Sequence, residues 1–255
     1  MSHLTSPGPL RDIPAADHAL GLGVPGYAHP LVAPTEWAEL ARPGAPVDWT
    51  VLSVARGPGA RQDPHCLTAV ARLRAAGVRV LGLLDARCGT RPFGELVSDA
   101  DRFLDWYRVD GFLLDRCPAD RPGLVEVRRT TATLRALLGG GHLVLGQGTH
   151  PYPEYMEVAD QLVTFRGAWA DYRWSQVAEW TAGYPPERFC HLVHGVPRPH
   201  LEEALRIARW QGAGTIYFTD RTHHPGRRTS ATTPWEALPG YWDDIVSRIG
   251  PRVME

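Results

Sequence analysis

Nine polar residues close short apolar runs along this 255-residue chain, and their types are those of acid–base and anion chemistry. His29 follows Leu20–Val24, Arg56 follows Trp49–Val54, and Asp85 follows Val78–Leu84. Asp115 and Arg116 follow Val109–Leu114, Gln147 follows His142–Leu145, and Arg166 follows Gln161–Phe165. His194 and Asp220 close Phe189–Val193 and Thr215–Phe218. A carboxylate such as Asp115, Asp85 or Asp220, or the imidazole of His194, can move a proton to or from a substrate atom. The guanidinium forks of Arg56, Arg116 and Arg166 match carboxylate or phosphate oxygens. Tyr27, His29, Gln147 and Trp169 complete the candidate binding set, with Trp169 offering a face on which a sugar ring can pack.

Each of these residues also has a plainer role. Asp115 can cap the turn after its strand, and Arg116 and Arg166 can pair with Asp115 and Asp85 as structural ion pairs. His194 can be a satisfied core histidine. His191 and His194 stand three apart on one strand, face opposite sides and cannot share a metal. His223 and His224 read as solvated loop residues, and Trp106, Trp180 and Trp210 as helix packing. Cys66, Cys88, Cys117 and Cys190 show no paired metal spacing. Cys88 and Cys117 follow adjacent strands and can approach one another, with free thiols the preferred reading. No metal or cofactor site is expected.

These residues need a frame that gathers strand ends. Between the apolar runs lie amphipathic segments: Thr35–Leu40, Pro64–Ala76, Phe93–Tyr107, Leu124–Leu138 and Leu201–Gln211. Gly77 and the run Gly139 to Gly141 stop two of them. Thr233 reads as an N-cap with Pro234 at the first helical position and Glu236 behind it, which predicts a closing helix. Eight such strand–helix units predict the α/β class and a single (β/α)8 TIM barrel over residues 18–255, preceded by a flexible lead-in at 1–17. An open doubly wound sheet is the competing architecture. In a barrel of this kind the carboxyl ends of the strands form one mouth, which is where the nine residues fall.

Composition narrows the partners. The chain is 44% hydrophobic and 22% charged, the balance of an ordinary globular domain. A net charge of -1 gives no field to draw nucleic acid or an anionic membrane. No apolar run approaches the roughly 20 residues of a membrane span. The first seventeen residues hold Pro7, Pro9 and Pro14 and lack the basic start and apolar stretch of an export signal. The expectation is a cytoplasmic protein with a small-molecule or sugar ligand and neither nucleic-acid nor membrane partner.

The order of several strand-end segments resembles a known family. Gly57-Pro58-Gly59, Gly89-Thr90-Arg91-Pro92, the run Val109 to Asp115, and Gly148-Thr149-His150-Pro151 occur in sequence. Tyr155 through Asp160, Ala170-Asp171-Tyr172 and Phe218-Thr219-Asp220 follow. Together they resemble the spherulin-four (spherulation-specific) family from about strand one to strand eight. That resemblance implies a barrel and, as in characterised fungal members, endo-acting hydrolysis of galactosamine-containing polysaccharide. It also implies an Asp-Glu pair after strand four and a glutamate after strand six, where this chain has Asp115-Arg116 and Phe165-Arg166. Ser53 and Gly146 stand where the resemblance implies asparagines. Asp115 carries over as a catalytic-type residue, with Tyr27, His194 and Asp220 as rim partners.

Glycoside hydrolysis ordinarily takes two carboxyl groups, and an arginine cannot serve as either because it stays protonated. Three functions fit these residues. The first is a divergent carbohydrate or amino-sugar enzyme in which Asp115 works with Asp85 or Asp220. The second is a repurposed barrel doing proton transfer, elimination or cyclisation on an anionic metabolite held by Arg56, Arg116 and Arg166, with Arg227 and Arg228 near a phosphate. The third is a non-catalytic ligand-binding barrel.

Overall fold

Strands buried on both faces read as continuous apolar runs, and they are stable only when helices cover one side and packed side chains fill the other. A computed structural model describes residues 19–26, 28–222 and 233–250, and in it eight parallel strands close into a barrel in chain order. They are β1 Gly21–Val24, β2 Val47–Leu52, β3 Arg79–Asp85, β4 Gly111–Asp115, β5 His142–Gly146, β6 Gln161–Ala168, β7 Phe189–His194 and β8 Thr215–Thr219. The helices are α1 Pro34–Leu40, α2 Pro64–Ala75, α3 Phe93–Tyr107, α4 Leu124–Leu138, α5 Trp169–Tyr172, α6 Leu201–Trp210 and α7 Trp242–Ile249. The predicted (β/α)8 class is therefore the fold observed, and the open sheet is not. The lead-in at 1–17, Tyr27, His223, His224, Arg227 and Arg228 lie outside the described residues.

Local chemistry sets the element ends. The Asp63 side chain caps α2 by accepting from the His65 and Cys66 N–H groups at 2.9 and 3.0 Å, with Pro64 at the first helical position. Between β3 and α3 the approach is so close that a Cβ on Gly82 would stand 2.8 Å from the Phe103 ring, so only glycine fits. The amino end of the barrel is plugged by Trp49. Its indole N–H donates to Gln161 Oε1 at 2.9 Å, and the Gln161 amide donates to Thr215 Oγ1 at 2.8 Å, bracing β2, β6 and β8.

Two expectations about elements need correction. Thr233 and Pro234 do not start the closing helix: the Glu236 N–H donates to Thr233 O at 3.2 Å in a turn, and α7 begins at Trp242. Pro239 and Gly240 interrupt the segment, and a helix could not run through that proline without losing a hydrogen bond. Strand β6 also runs to Ala168 instead of ending at Phe165, with an irregularity in its pairing to β7 between Val163 and Phe165. Arg166 is therefore inside a strand, and Trp169 opens the short helix α5.

Candidate functional site: a mouth of paired charges

The pleat decides which side chains enter the barrel. Gly82 and Phe112 face α3, with the Phe112 and Phe103 rings 6.4 Å apart. Alternation then turns Asp85 on β3 and Asp115 on β4 toward the axis. These two carboxylates are direct register partners on neighbouring strands, and Gly146 on β5 continues the row. Like charges side by side repel, so each needs a counter-charge.

Each has one. Arg166 Nη1 donates to Asp115 Oδ1 at 2.5 Å, with the two side chains 24% and 21% exposed. Arg116 Nε donates to Asp85 Oδ1 at 2.8 Å and its Nη2 donates to Oδ2, forming a fork-to-carboxylate pair. Arg116, just after β4, neutralises the aspartate of the adjacent strand β3, whereas Arg166 reaches from β6 past β5 to the aspartate of β4. Burial acts to raise the Asp85 carboxyl, but hydrogen bonds from the Arg116 guanidinium and the Arg87 N–H, with both positive charges, hold it below its usual value. The Asp85 carboxylate raises Arg116 in turn. Arg116 is 54% exposed, so this pair forms the outer rim, and Asp115–Arg166 lies deeper.

In the deeper pair, and in Gln147 just after β5, are buried polar atoms with nothing to bond. Both amide atoms of Gln147 and the Nε of Arg166 are buried and have no hydrogen-bond partner among the described residues. The backbone after Gln147 is tied to β6, because the Gly148 N–H donates to Val163 O at 2.8 Å and the Arg166 N–H donates to Gly148 O at 3.2 Å. Buried groups left unsatisfied cost about 1–3 kcal/mol each, and they are exceptional enough to need a reason. A ligand carrying both donors and acceptors would satisfy them.

The remaining candidates divide. His194 lies at the end of β7 with its ring 5.7 Å from Trp235, which is also 6.1 Å from Tyr217. Trp235 is half-buried in the segment after β8, and it is the aromatic that sequence reasoning missed, because the predicted closing helix had absorbed it. Trp169 is only 7% exposed, packed 6.2 Å from Tyr172 and 5.9 Å from His200, so it presents no open face. Asp220 is exposed, and its Oδ1 accepts the Gly240 N–H at 3.0 Å, which fixes the turn before α7. Arg56 is exposed with no ion pair among the described residues. His29 joins a different group, Asp63 and Cys66. Cys88 is exposed, Cys117 is buried and both are free thiols.

Backbone strain gathers at the same end. Of five non-glycine residues with positive φ among the described residues, Arg56, Arg87, Cys88 and Arg116 lie after β2, β3 and β4, and the fifth, Arg108, ends α3. Left-handed backbone costs such residues about 1–2 kcal/mol each, and strain of this kind concentrates where function holds it in place. Large polar cavities also exist at the opposite end, of about 510 and 730 Å³, sharing Arg79, His142 and Asp160. They surround the amino ends of the strands, a face that serves stability in barrel enzymes. The mouth, with its orphaned polar atoms and strained loops, is the better candidate. Among the described residues no helix is long and apolar enough to cross a membrane.

Closed parallel strands with interleaved helices and a polar ring at their carboxyl ends define the class of (β/α)8 TIM-barrel proteins. Within that class the chain belongs to spherulation-specific family 4, whose family pattern matches residues 22–249. Spherulin-4 of Physarum polycephalum is 24% identical over 208 residues, which cover 77% of this chain and 62% of the relative's length. Among solved structures, Aspergillus clavatus Sph3 in complex with GalNAc superposes with a TM-score of 0.76 at 22% identity, covering 91% of this chain and 98% of that one. The Bacillus cereus spore cortex-lytic enzyme SleL superposes with a TM-score of 0.54 at 9% identity, covering 93% and 76%. At these identities the structural likenesses establish the shared barrel.

Proposed function

We propose that the mouth binds a sugar of the amino-sugar class and that this chain lacks the two-carboxylate hydrolysis expected from its resemblance. The observation that carries this reading is the Arg166–Asp115 ion pair at the centre of the mouth. Hydrolysis requires one carboxyl group to protonate the leaving oxygen and a second to attack or to activate water. Here one oxygen of Asp115 is taken by a guanidinium, Asp85 is held ionised by Arg116, and Asp220 serves a turn. None of the three is placed as a free acid opposite another.

Sugar binding is supported by the groups left over. The Gln147 amide offers a donor and an acceptor, Arg166 Nε offers a donor, and Trp235 beside His194 supplies an aromatic surface for a ring face. The GalNAc bound to the fungal barrel of the same fold agrees with this ligand class. The anionic-metabolite reading fits less well, because two guanidiniums of its clamp are already committed to carboxylates and only Arg56 is not.

Isothermal titration with galactosamine and N-acetylgalactosamine oligomers tests the proposal, with reducing-end release followed in the same samples. The expected result is binding without release, weakened about tenfold or more by Gln147→Ala and by Trp235→Ala, a loss of about 1.4 kcal/mol each. Sugar release abolished by Asp115→Asn would defeat the non-hydrolytic half. Absence of binding at millimolar sugar would defeat the other half.

A further inference from the structure

Outside the paired charges, one cluster brings three different metal-ligating groups together. His29, in the segment after β1, meets Asp63 and Cys66 at the start of α2. His29 Nε2 is 3.4 Å from Asp63 Oδ2 and 3.4 Å from Cys66 Sγ, and all three ligand atoms lie within 4.8 Å of one another. The imidazole and the thiol are thirty-seven residues apart in the chain, beyond the reach of any local ligand spacing.

We propose that His29, Asp63 and Cys66 form a binding site for a divalent cation of the zinc or cobalt class on the rim of the barrel. This inference is independent of the sugar reading. With metal–nitrogen and metal–oxygen bonds of about 2.1 Å and a metal–sulfur bond of about 2.3 Å, tetrahedral geometry sets N···O near about 3.4 Å and N···S near about 3.6 Å. Both observed nitrogen distances agree with those values to within about 0.2 Å, the tolerance expected for such sites.

The surroundings prepare each ligand. Asp63 uses only Oδ1 to cap α2, which fixes the carboxylate and leaves Oδ2 aimed at His29. The Asp63 N–H donates to the Tyr107 hydroxyl at 3.0 Å, anchoring the backbone beneath. Cys66 is fully buried at the base, while His29 and Asp63 are 25% and 27% exposed, so a cation can enter from solvent and meet the thiolate last. One thiolate and one carboxylate balance a divalent charge. The fourth position faces solvent beside His65, whose ring is 6.3 Å from that of His29.

Loading also has a defined proton balance. The Leu31 N–H donates to His29 Nδ1 at 3.2 Å, so without metal the imidazole proton sits on Nε2, between the carboxylate and the sulfur. A bound cation takes that place. The imidazole then carries its proton on Nδ1, the Leu31 N–H is released, and the Cys66 thiol gives its proton to solvent as the metal–sulfur bond forms.

Titration of the metal-stripped full chain with Co²⁺ decides the matter. Expected are a thiolate-to-cobalt charge-transfer band and tetrahedral visible bands that saturate at one equivalent, together with a shift of the Leu31 amide resonance on loading with Zn²⁺. Cys66→Ser should abolish the charge-transfer band. His29→Gln, at a partly exposed position, and Asp63→Asn, which keeps the capping oxygen, should each weaken binding by at least about tenfold. Cys88→Ser should change nothing. A wild-type chain without the band at stoichiometric Co²⁺, or a band that survives Cys66→Ser or is lost in Cys88→Ser, overturns the proposal.

Discussion

Replacing Arg166 by glutamine removes the cation that faces Asp115 while keeping most of the side-chain volume. Two unit charges about 4 Å apart attract by about 4 kcal/mol at an effective dielectric constant of about 20. The cost of taking both groups partly out of water offsets much of this. The side chains are 24% and 21% exposed, which places the pair between surface bridges worth about 0–1 kcal/mol and buried ones whose breaking costs about 3–5 kcal/mol. Arg166→Gln should therefore lower the unfolding free energy by about 2 kcal/mol at pH 7. The freed Asp115 carboxylate also stands in register beside Asp85, which adds repulsion that Arg116 only partly cancels. Adding Asp115→Asn to Arg166→Gln removes the uncompensated charge, so the double-mutant cycle should show a coupling of about 1–2 kcal/mol. Urea unfolding of the four proteins measures it, and repeating the series in high salt should reduce the coupling without erasing it. A coupling below about 0.3 kcal/mol, or an Arg166→Gln chain more stable than wild type, would show that Arg166 is not the partner of Asp115.

Gln147→Met removes two unsatisfied buried atoms, so thermal unfolding should show a gain of up to about 1 kcal/mol while titration shows sugar affinity lost; equal losses of both would contradict a binding role. Burial pushes His142 down to about 4, with Arg79 assisting, and pushes His191 down to about 3, with His150 assisting. Both therefore stay neutral in the fold, their contribution is full above the ordinary histidine value, and it is lost as pH falls from there toward the folded values. Between pH 7.5 and 5.5 the two together should cost about 2–3 kcal/mol of stability, and His191→Gln should remove about half of that slope in urea titrations; an unchanged slope would refute the assignment. Gly82→Ala places a methyl group 2.8 Å from the Phe103 ring and should destabilise by about 1–3 kcal/mol in the same assay, whereas a neutral result would mean that α3 can move away freely.

The barrel was legible because strands such as β3 and β4 are apolar runs ended by a polar residue, and because α3 and α6 keep an unbroken apolar stripe. The ion-pair roles of Arg116 and Arg166 were legible as residue types, but their partners were not, since these depend on how strands distant in sequence meet around the barrel mouth. Trp235 was hidden by a cap signal: Thr233 and Pro234 start a turn as readily as a helix, and only the later Pro239 and Gly240 tell the two apart. Trp169 looked exposed because β6 runs three residues beyond its apolar part, carrying that indole into α5 and against His200. The His29, Asp63 and Cys66 cluster joins the segment after β1 to the start of α2, which no local spacing rule connects.

Saturation-transfer NMR on a galactosamine-containing oligosaccharide mixed with the wild-type chain, with spectra repeated over a day, examines ligand and chemistry at once. Saturation of the sugar resonances with glycosidic anomeric signals of constant intensity is the outcome that a guanidinium-occupied Asp115 requires. Growth of new reducing-end signals would mean that a second acid operates in the mouth, and sugar resonances untouched by saturation would mean that the mouth is not a sugar site.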